Sequence, residues 1–222
     1  MASILTREGI EAAFEFVGQT AADRGVVLEI AVFGGSCLIL ASDIRDASGD
    51  VDAIFRSDRS IIREISALAA KRFQLPENWL NEGVRKFAPP IGNPEPTLLP
   101  FGDYPNNGAT GVGLRVLLPT PEYMLAMKIL SYRLDEETDK IQTDQSDAIA
   151  LMKLTGKTTA DDLMDLVKLC YPSIPGIMMD SKPGPRIKAK IETLTDAYAA
   201  DKDDSLPTWN AGRGPPVADR KT

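Results

Sequence analysis

The chain has 222 residues, 43% of them hydrophobic, with a formal net charge of −7, two cysteines and no histidine. The length and apolar content suffice for a buried core. The absence of histidine excludes Ser–His and Cys–His nucleophile pairs, His-ligated zinc and His general bases, and two cysteines as distant as Cys37 and Cys170 make no thiolate zinc site.

What remains for chemistry is carboxylates, Lys, Arg, hydroxyls and hard metal ions, a set suited to phosphoryl-type transfer, where positioning and metal electrostatics do most of the catalysis. The acidic balance counts against a broad non-specific nucleic-acid surface, which needs clustered Lys and Arg. The apolar runs fall short of a membrane span, and Met1 to Glu8 lacks the pattern of a signal peptide. A cytoplasmic location without membrane association is therefore expected, with both thiols free and buried.

In chain order, Thr6 is an N-cap candidate for a helix to about Ala22, in which Ile10, Ala13, Phe14 and Val17 make the buried stripe. Gly25 leads into a strand, Val26 to Phe33. A Gly34-Gly35-Ser36 turn then opens a short helix. The free N–H groups and positive dipole end of such a helix form a natural seat for phosphate. A second strand carries Asp50 and Asp52 on one face, with Val51, Ala53 and Phe55 on the core side. The two acids would lie about 6.5 Å apart along the strand. Two carboxylates at that separation repel by roughly 3 kcal/mol at an effective dielectric of about 20, which calls for a counter-charge such as Mg²⁺. The plainer alternative is a pair of solvated acids on an exposed sheet face.

Ser57 or Asp58 caps a helix to about Phe73, with Ile61, Ile65, Leu68 and Ala69 at helical spacing and Arg63, Lys71 and Arg72 on its solvated face. Trp79 reads as core in preference to a base-stacking platform. Pro89 to Gly113, rich in Pro, Gly and Asn, reads as loop with at most a short strand near Thr97 to Leu99, the kind of segment that forms a substrate-facing flap. Leu114 to Leu118 is a strand. Thr120-Pro121 opens a helix that is apolar nearly all round, so Lys128 in its middle either pairs with a negative group or snorkels outward. Asp144 reads as the N-cap of the following helix, with Asp147 in its first turn. Gly156 stops that helix, and Thr159 with Asp162 caps the next. Pro172 to Pro185 is a linker. Ile187, Ile191, Leu194 and Tyr198 mark a last amphipathic helix, and 201–222 reads as a polar, disordered tail with Trp209 as a docking point.

Gly34-Gly35-Ser36, a spacer through Arg45, and Asp50-Val51-Asp52 together resemble the signature of the nucleotidyltransferase superfamily. The segment from Val26 to Pro172 is most similar to small bacterial AbiEii-type, toxin-related nucleotidyltransferases, through Lys128 and Asp144-Gln145-Ser146-Asp147 as well. The resemblance implies an α/β fold: a small mixed sheet flanked by helices in residues 1–120, and a helical half in 121–200. It implies Mg²⁺ (or Mn²⁺) on Asp50 and Asp52, and an NTP held by Gly34, Gly35, Ser36, Arg45 and Lys128. Lys128 would neutralise phosphate, and Asp147 would orient Lys128 or assist acceptor deprotonation. The implied activity moves a nucleoside monophosphate from the NTP to RNA such as tRNA, or to protein, in a toxin that would have a cognate antitoxin. The family pattern is departed from twice. GLRVLLP offers only Arg115 where many members carry a third carboxylate, Asp103 being in the preceding loop, and Thr143 stands where a basic residue is usual. Two other readings follow: a weakly active nucleotide- or protein-binding module, and a small-molecule, antibiotic-type nucleotidyltransferase.

Overall fold

A computed structural model describes residues 5–87, 94–106, 111–134, 139–173 and 184–210. The fold is α/β, as the sequence predicts. Thr6 lies in extended backbone and its hydroxyl accepts the Gly9 N–H, so α1 (Arg7–Asp23) starts where its cap stands and buries Ile10, Ala13, Phe14 and Val17. Just before it, β1 (Leu5–Thr6) pairs antiparallel with β3 (Ala47–Ser48).

The main sheet is built around β2 (Leu28–Val32). On one side β2 pairs antiparallel with β4 (Val51–Phe55), which pairs in parallel with the two-residue β5 (Leu80–Asn81). On the other it pairs in parallel with β7 (Leu114–Pro119), which carries β6 (Leu98–Tyr104) antiparallel at the edge. The order is β5-β4-β2-β7-β6. Alternation puts Leu28, Ile30, Val32, Val51, Ala53, Phe55, Leu114, Val116 and Leu118 on one face, and all are buried. Helix α1 packs against β6, β7 and α3 (Arg59–Phe73), with Phe14 set edge-on to Tyr104 at 5.7 Å between ring centroids.

The backbones of α1 and the β6–β7 pair touch. A Cβ on Gly18 would fall 2.5 Å from the Tyr104 carbonyl carbon, and one on Gly113 would fall 1.9 Å from the Gly18 carbonyl oxygen. On the opposite sheet face Arg115 pairs with Asp103 at 3.3 Å and with Glu29 at 3.9 Å, and Glu29 pairs with Arg56 at 2.9 Å. This row of alternating charges crosses the sheet at the end away from Asp52.

Three sequence expectations change here. The segment expected to be loop contains β6, seven residues long; an edge strand tolerates Pro100 because its N–H is not needed on both sides, and a bulge falls between Pro100 and Gly102. Of that segment, 89–93 and 107–110 lie outside the described residues. The buried stripe of α3 is Ile62, Ile65, Ser66, Ala69 and Ala70, with Leu68 exposed. The helix is turned by Trp79, which is fully buried and donates its indole N–H to the Ser66 carbonyl at 2.9 Å. Trp79 is thus core.

The remaining helices are α4 (Pro121–Ser131), α5 (Asp139–Thr155), α6 (Ala160–Cys170) and α7 (Gly184–Ala200). Thr120 caps α4 with Pro121 in its first turn, and residues 123–129 are all buried. Thr159 and Asp162 form a reciprocal capping box on α6, and Gly156 after α5 has φ +65°. The third change is in α5. It begins at Asp139, so Asp144 and Asp147 stand inside the helix and Asp144 caps nothing; their one-turn spacing puts both on one face.

The described residues fall into two compact units, one within Met1–Val84, Leu98–Pro119 and Asn210–Thr222, the other within Arg85–Thr97 and Thr120–Trp209. Helical character thus begins the second unit at Thr120, but that unit also takes in residues 85–97. Most of the expected linker, 174–183, lies outside the described residues, as does 211–222. Residues 201–206 are exposed without regular structure, and the Asn210 N–H donates to the Ala41 carbonyl at 2.6 Å. Among the described residues no helix is long and apolar enough to cross a membrane.

Candidate functional site

In the first unit, α2 (Gly34–Ala41) opens directly off the end of β2, with Phe33 as an N-cap that supplies no side-chain hydrogen bond. Its first-turn N–H groups therefore have no partner within the helix. Gly34 has φ +64°, a conformation that costs other residues about 1–2 kcal/mol, and a Cβ there would lie 3.0 Å from Asp52 Oδ2. Only glycine lets strand and helix approach so closely. The result is a carboxylate set against the positive end of a helix, an electrostatically favourable place for it.

The other oxygen of Asp52 is flanked by a second glycine: a Cβ on Gly83 would lie 3.1 Å from Asp52 Oδ1 and 2.8 Å from Asn81 Oδ1. Arg45 completes this wall. A Cβ on Gly35 would fall 2.2 Å from Arg45 Nη1, so the guanidinium lies directly over the bare Cα in the first turn of α2. Gly34, Gly35, Arg45 and Asp52 are thus brought together at one end of the sheet.

Asp50 and Ser36 need correction. β4 begins at Val51, so Asp50 sits in the bend before the strand, and its Oδ2 accepts a hydrogen bond from Asn81 Nδ2 at 2.9 Å. Ser36 is buried and its hydroxyl donates to the Asp50 carbonyl at 2.5 Å. A hydroxyl has one proton to give, so the Ser36 side chain ties α2 to the Asp50 bend and has none left for phosphate. Cys37, next in α2, is fully buried, and burial pushes its thiol well above the ordinary range, so it is no nucleophile.

Asp50 and Asp52 are the acids here that could hold a hard cation. Asp52 lies between Gly34 and Gly83, and Asp50 lies against Asn81; Mg²⁺ commonly takes one or two carboxylates and completes its shell with water and phosphate. No group of three His, Cys, Asp or Glu suited to a metal occurs among the described residues. The third strand carboxylate is absent for a visible reason. Phe33 N–H bonds the Asp52 carbonyl, and across β2 from there β7 presents Leu117, Leu118 and Pro119. Asp103 pairs in register with Arg115, opposite Glu29, four residues or roughly 13 Å along the strand from Phe33.

In the second unit Lys128 is 6% exposed and Asp147 2%. Lys128 Nζ donates to Asp147 Oδ2 and Asp144 Oδ1, both at 2.7 Å. Lys128 therefore pairs inward and does not snorkel. Both acids hold the ammonium, and the group ties α4 to α5. The sequence points to Asp147 as the partner but not to the equal share of Asp144, which follows from α5 starting at Asp139. Nor does it point to Asn81 and Gly83. Their only local mark is a glycine two residues after an asparagine; their importance comes from the parallel pairing of Asp52 with Asn81.

No protein-family model, curated protein or solved structure matches this chain.

Proposed function

We propose that the chain is a Mg²⁺- or Mn²⁺-dependent nucleotidyltransferase that moves a nucleoside monophosphate from an NTP to an RNA or protein acceptor. The observation that carries the reading is the meeting of three parts at one end of the sheet: the glycine-opened start of α2, the Arg45 guanidinium over Gly35, and the Asp52 carboxylate between Gly34 and Gly83. The first-turn N–H groups and Arg45 would bind phosphate, and Asp50 and Asp52 would hold the metal. When bound, the cation supplies charge neutralisation on the phosphates and orients them for in-line displacement. Asp52 and Asp50 would also fix the triphosphate relative to α2. Lys128 enters this reading as the support of α4 on α5, oriented by Asp147 and Asp144. An antitoxin partner, if the chain is a toxin, would act on this same activity.

A second reading, a nucleotide-binding module with little turnover, is favoured by the apolar residues of β7 where a third carboxylate would stand. Two measurements separate the readings. Calorimetry with each NTP should give binding that requires Mg²⁺ or Mn²⁺ and is lost in Asp50→Asn with Asp52→Asn; metal-independent binding unchanged in that double mutant refutes the transferase, and no binding of any NTP refutes both. Incubation with labelled NTP, Mg²⁺ and total RNA or cell extract should transfer label. Tight metal-dependent binding with no transfer to either acceptor leaves the binding module.

A further inference from the structure

Asp50 stands outside the strand, so the pairing of β4 does not hold its carboxylate. The side chain that contacts it is Asn81, on the strand beside Asp52. The orientation of the Asn81 amide is set by its other partners. Its oxygen accepts the Gly83 N–H at 2.6 Å, and its nitrogen donates to the Asn78 carbonyl at 3.3 Å as well as to Asp50 Oδ2 at 2.9 Å. A flipped amide would set oxygen against oxygen at two places and an NH₂ against an N–H at the third. The donor end is therefore locked toward Asp50.

Asn81 is itself anchored. Val51 N–H bonds the Trp79 carbonyl, Trp79 is fully buried and bonded to Ser66, and Asn81 pairs with Asp52 two residues further on. The chain of support runs from α3 through Trp79 to Asn81 and then to Asp50. Ser36 holds the Asp50 main chain from the other side.

We infer that Asn81 is the positioning residue of the metal site: its amide takes Oδ2 of Asp50, leaving Oδ1 to coordinate alongside Asp52. The inference rests on the metal-dependent reading above and gives β5, an edge strand of two residues, the task of aiming a ligand. Partners that orient a metal's ligands typically contribute 10–100-fold in affinity.

The test is Mn²⁺ binding, followed as the loss of the free-ion electron paramagnetic resonance signal. Wild type, Asn81→Leu, Asp50→Asn and the Asn81→Leu/Asp50→Asn double mutant are compared without nucleotide. Asn81→Leu should weaken Mn²⁺ binding 10–100-fold. In the Asp50→Asn background the same change should have less than a two-fold effect, because Asn81 acts through Asp50. If Asn81→Leu fails to fold, Asn81→Ser removes the amide with less bulk and takes its place in the cycle. An Asn81 variant that binds Mn²⁺ within two-fold of wild type overturns the inference and leaves the metal reading standing. An equal loss in both backgrounds also overturns it, since the effect then does not pass through Asp50. A wild type that binds no Mn²⁺ with or without added NTP overturns both.

Discussion

Removing the Lys128 ammonium is the perturbation whose cost the geometry defines most closely. Lys128→Met keeps the stem and much of the volume, so α4 stays packed. It leaves Asp147 and Asp144 facing a thioether, with Asp147 2% exposed. Each lost contact is a charge-assisted hydrogen bond of 2.7 Å, and such bonds are worth about 1.5–3 kcal/mol apiece. The sum agrees with the roughly 3–5 kcal/mol found when one member of a buried ion pair is removed. In urea unfolding followed by far-ultraviolet circular dichroism, a slope near 3 kcal/mol/M turns that loss into a midpoint shift of about 1–1.7 M. Lys128→Met with Asp147→Asn should recover much of the shift, because the more buried acid is then neutral and Asp144, at 23% side-chain exposure, can reach water. A single mutant within about 1 kcal/mol of wild type, or a double mutant that recovers nothing, refutes the account of Lys128 as the tie between α4 and α5. Normal stability with transfer reduced about 10²-fold would instead return Lys128 to catalysis.

Two glycine substitutions should behave oppositely. Gly35→Ala meets side-chain ends, Arg45 Nη1 at 2.2 Å and Ser48 Oγ at 3.2 Å, and no backbone, so it should cost less stability than Gly18→Ala while NTP affinity by calorimetry falls at least about ten-fold, the guanidinium having been pushed off the first turn of α2. Gly18→Ala meets the Tyr104 backbone at 2.5 Å and should lower stability by about 1–3 kcal/mol or more in the same urea assay; the reverse ranking of the two variants would show that these approaches are misread. The third prediction concerns Lys153, which bonds Asp201 at 2.7 Å after α7. The hydrogen bond to Lys153 holds the Asp201 carboxyl below its ordinary 3.8, so its contribution stands above that pH and is lost as pH falls through the folded-state value. The same bond holds Lys153 above its ordinary 10.5, so its contribution stands below that pH and is lost as pH rises through the folded-state value. Nuclear magnetic resonance titration should find Asp201 below 3.8 in wild type and back toward it in Lys153→Met. An identical midpoint in both removes the tie.

What could be read in advance was whatever depends on near neighbours in the chain. Thr6, Thr120 and Thr159 announced their helices because a cap acts within three residues, and the core side of β4 was visible in Val51, Ala53 and Phe55 because alternation is local. The Gly34–Gly35 turn and Asp52 were legible for the same reason. The errors fall where a distant partner decides. Ser66 is buried on α3 because Trp79 lies on it, β6 exists because β7 accepts it, and Asn81 matters because β5 pairs beside Asp52. Ser36 looked like a phosphate contact on spacing alone, and the carbonyl it serves lies fourteen residues away.

The two ends of the sheet have a consequence for how this chain meets copies of itself. At one border, β5 offers only two residues of backbone. At the other, β6 carries Pro100, which has no N–H, and a bulge beside it. A foreign strand laid along either border would find too few regularly spaced donors and acceptors to add on. The sheet therefore resists edge-to-edge growth beyond its five strands.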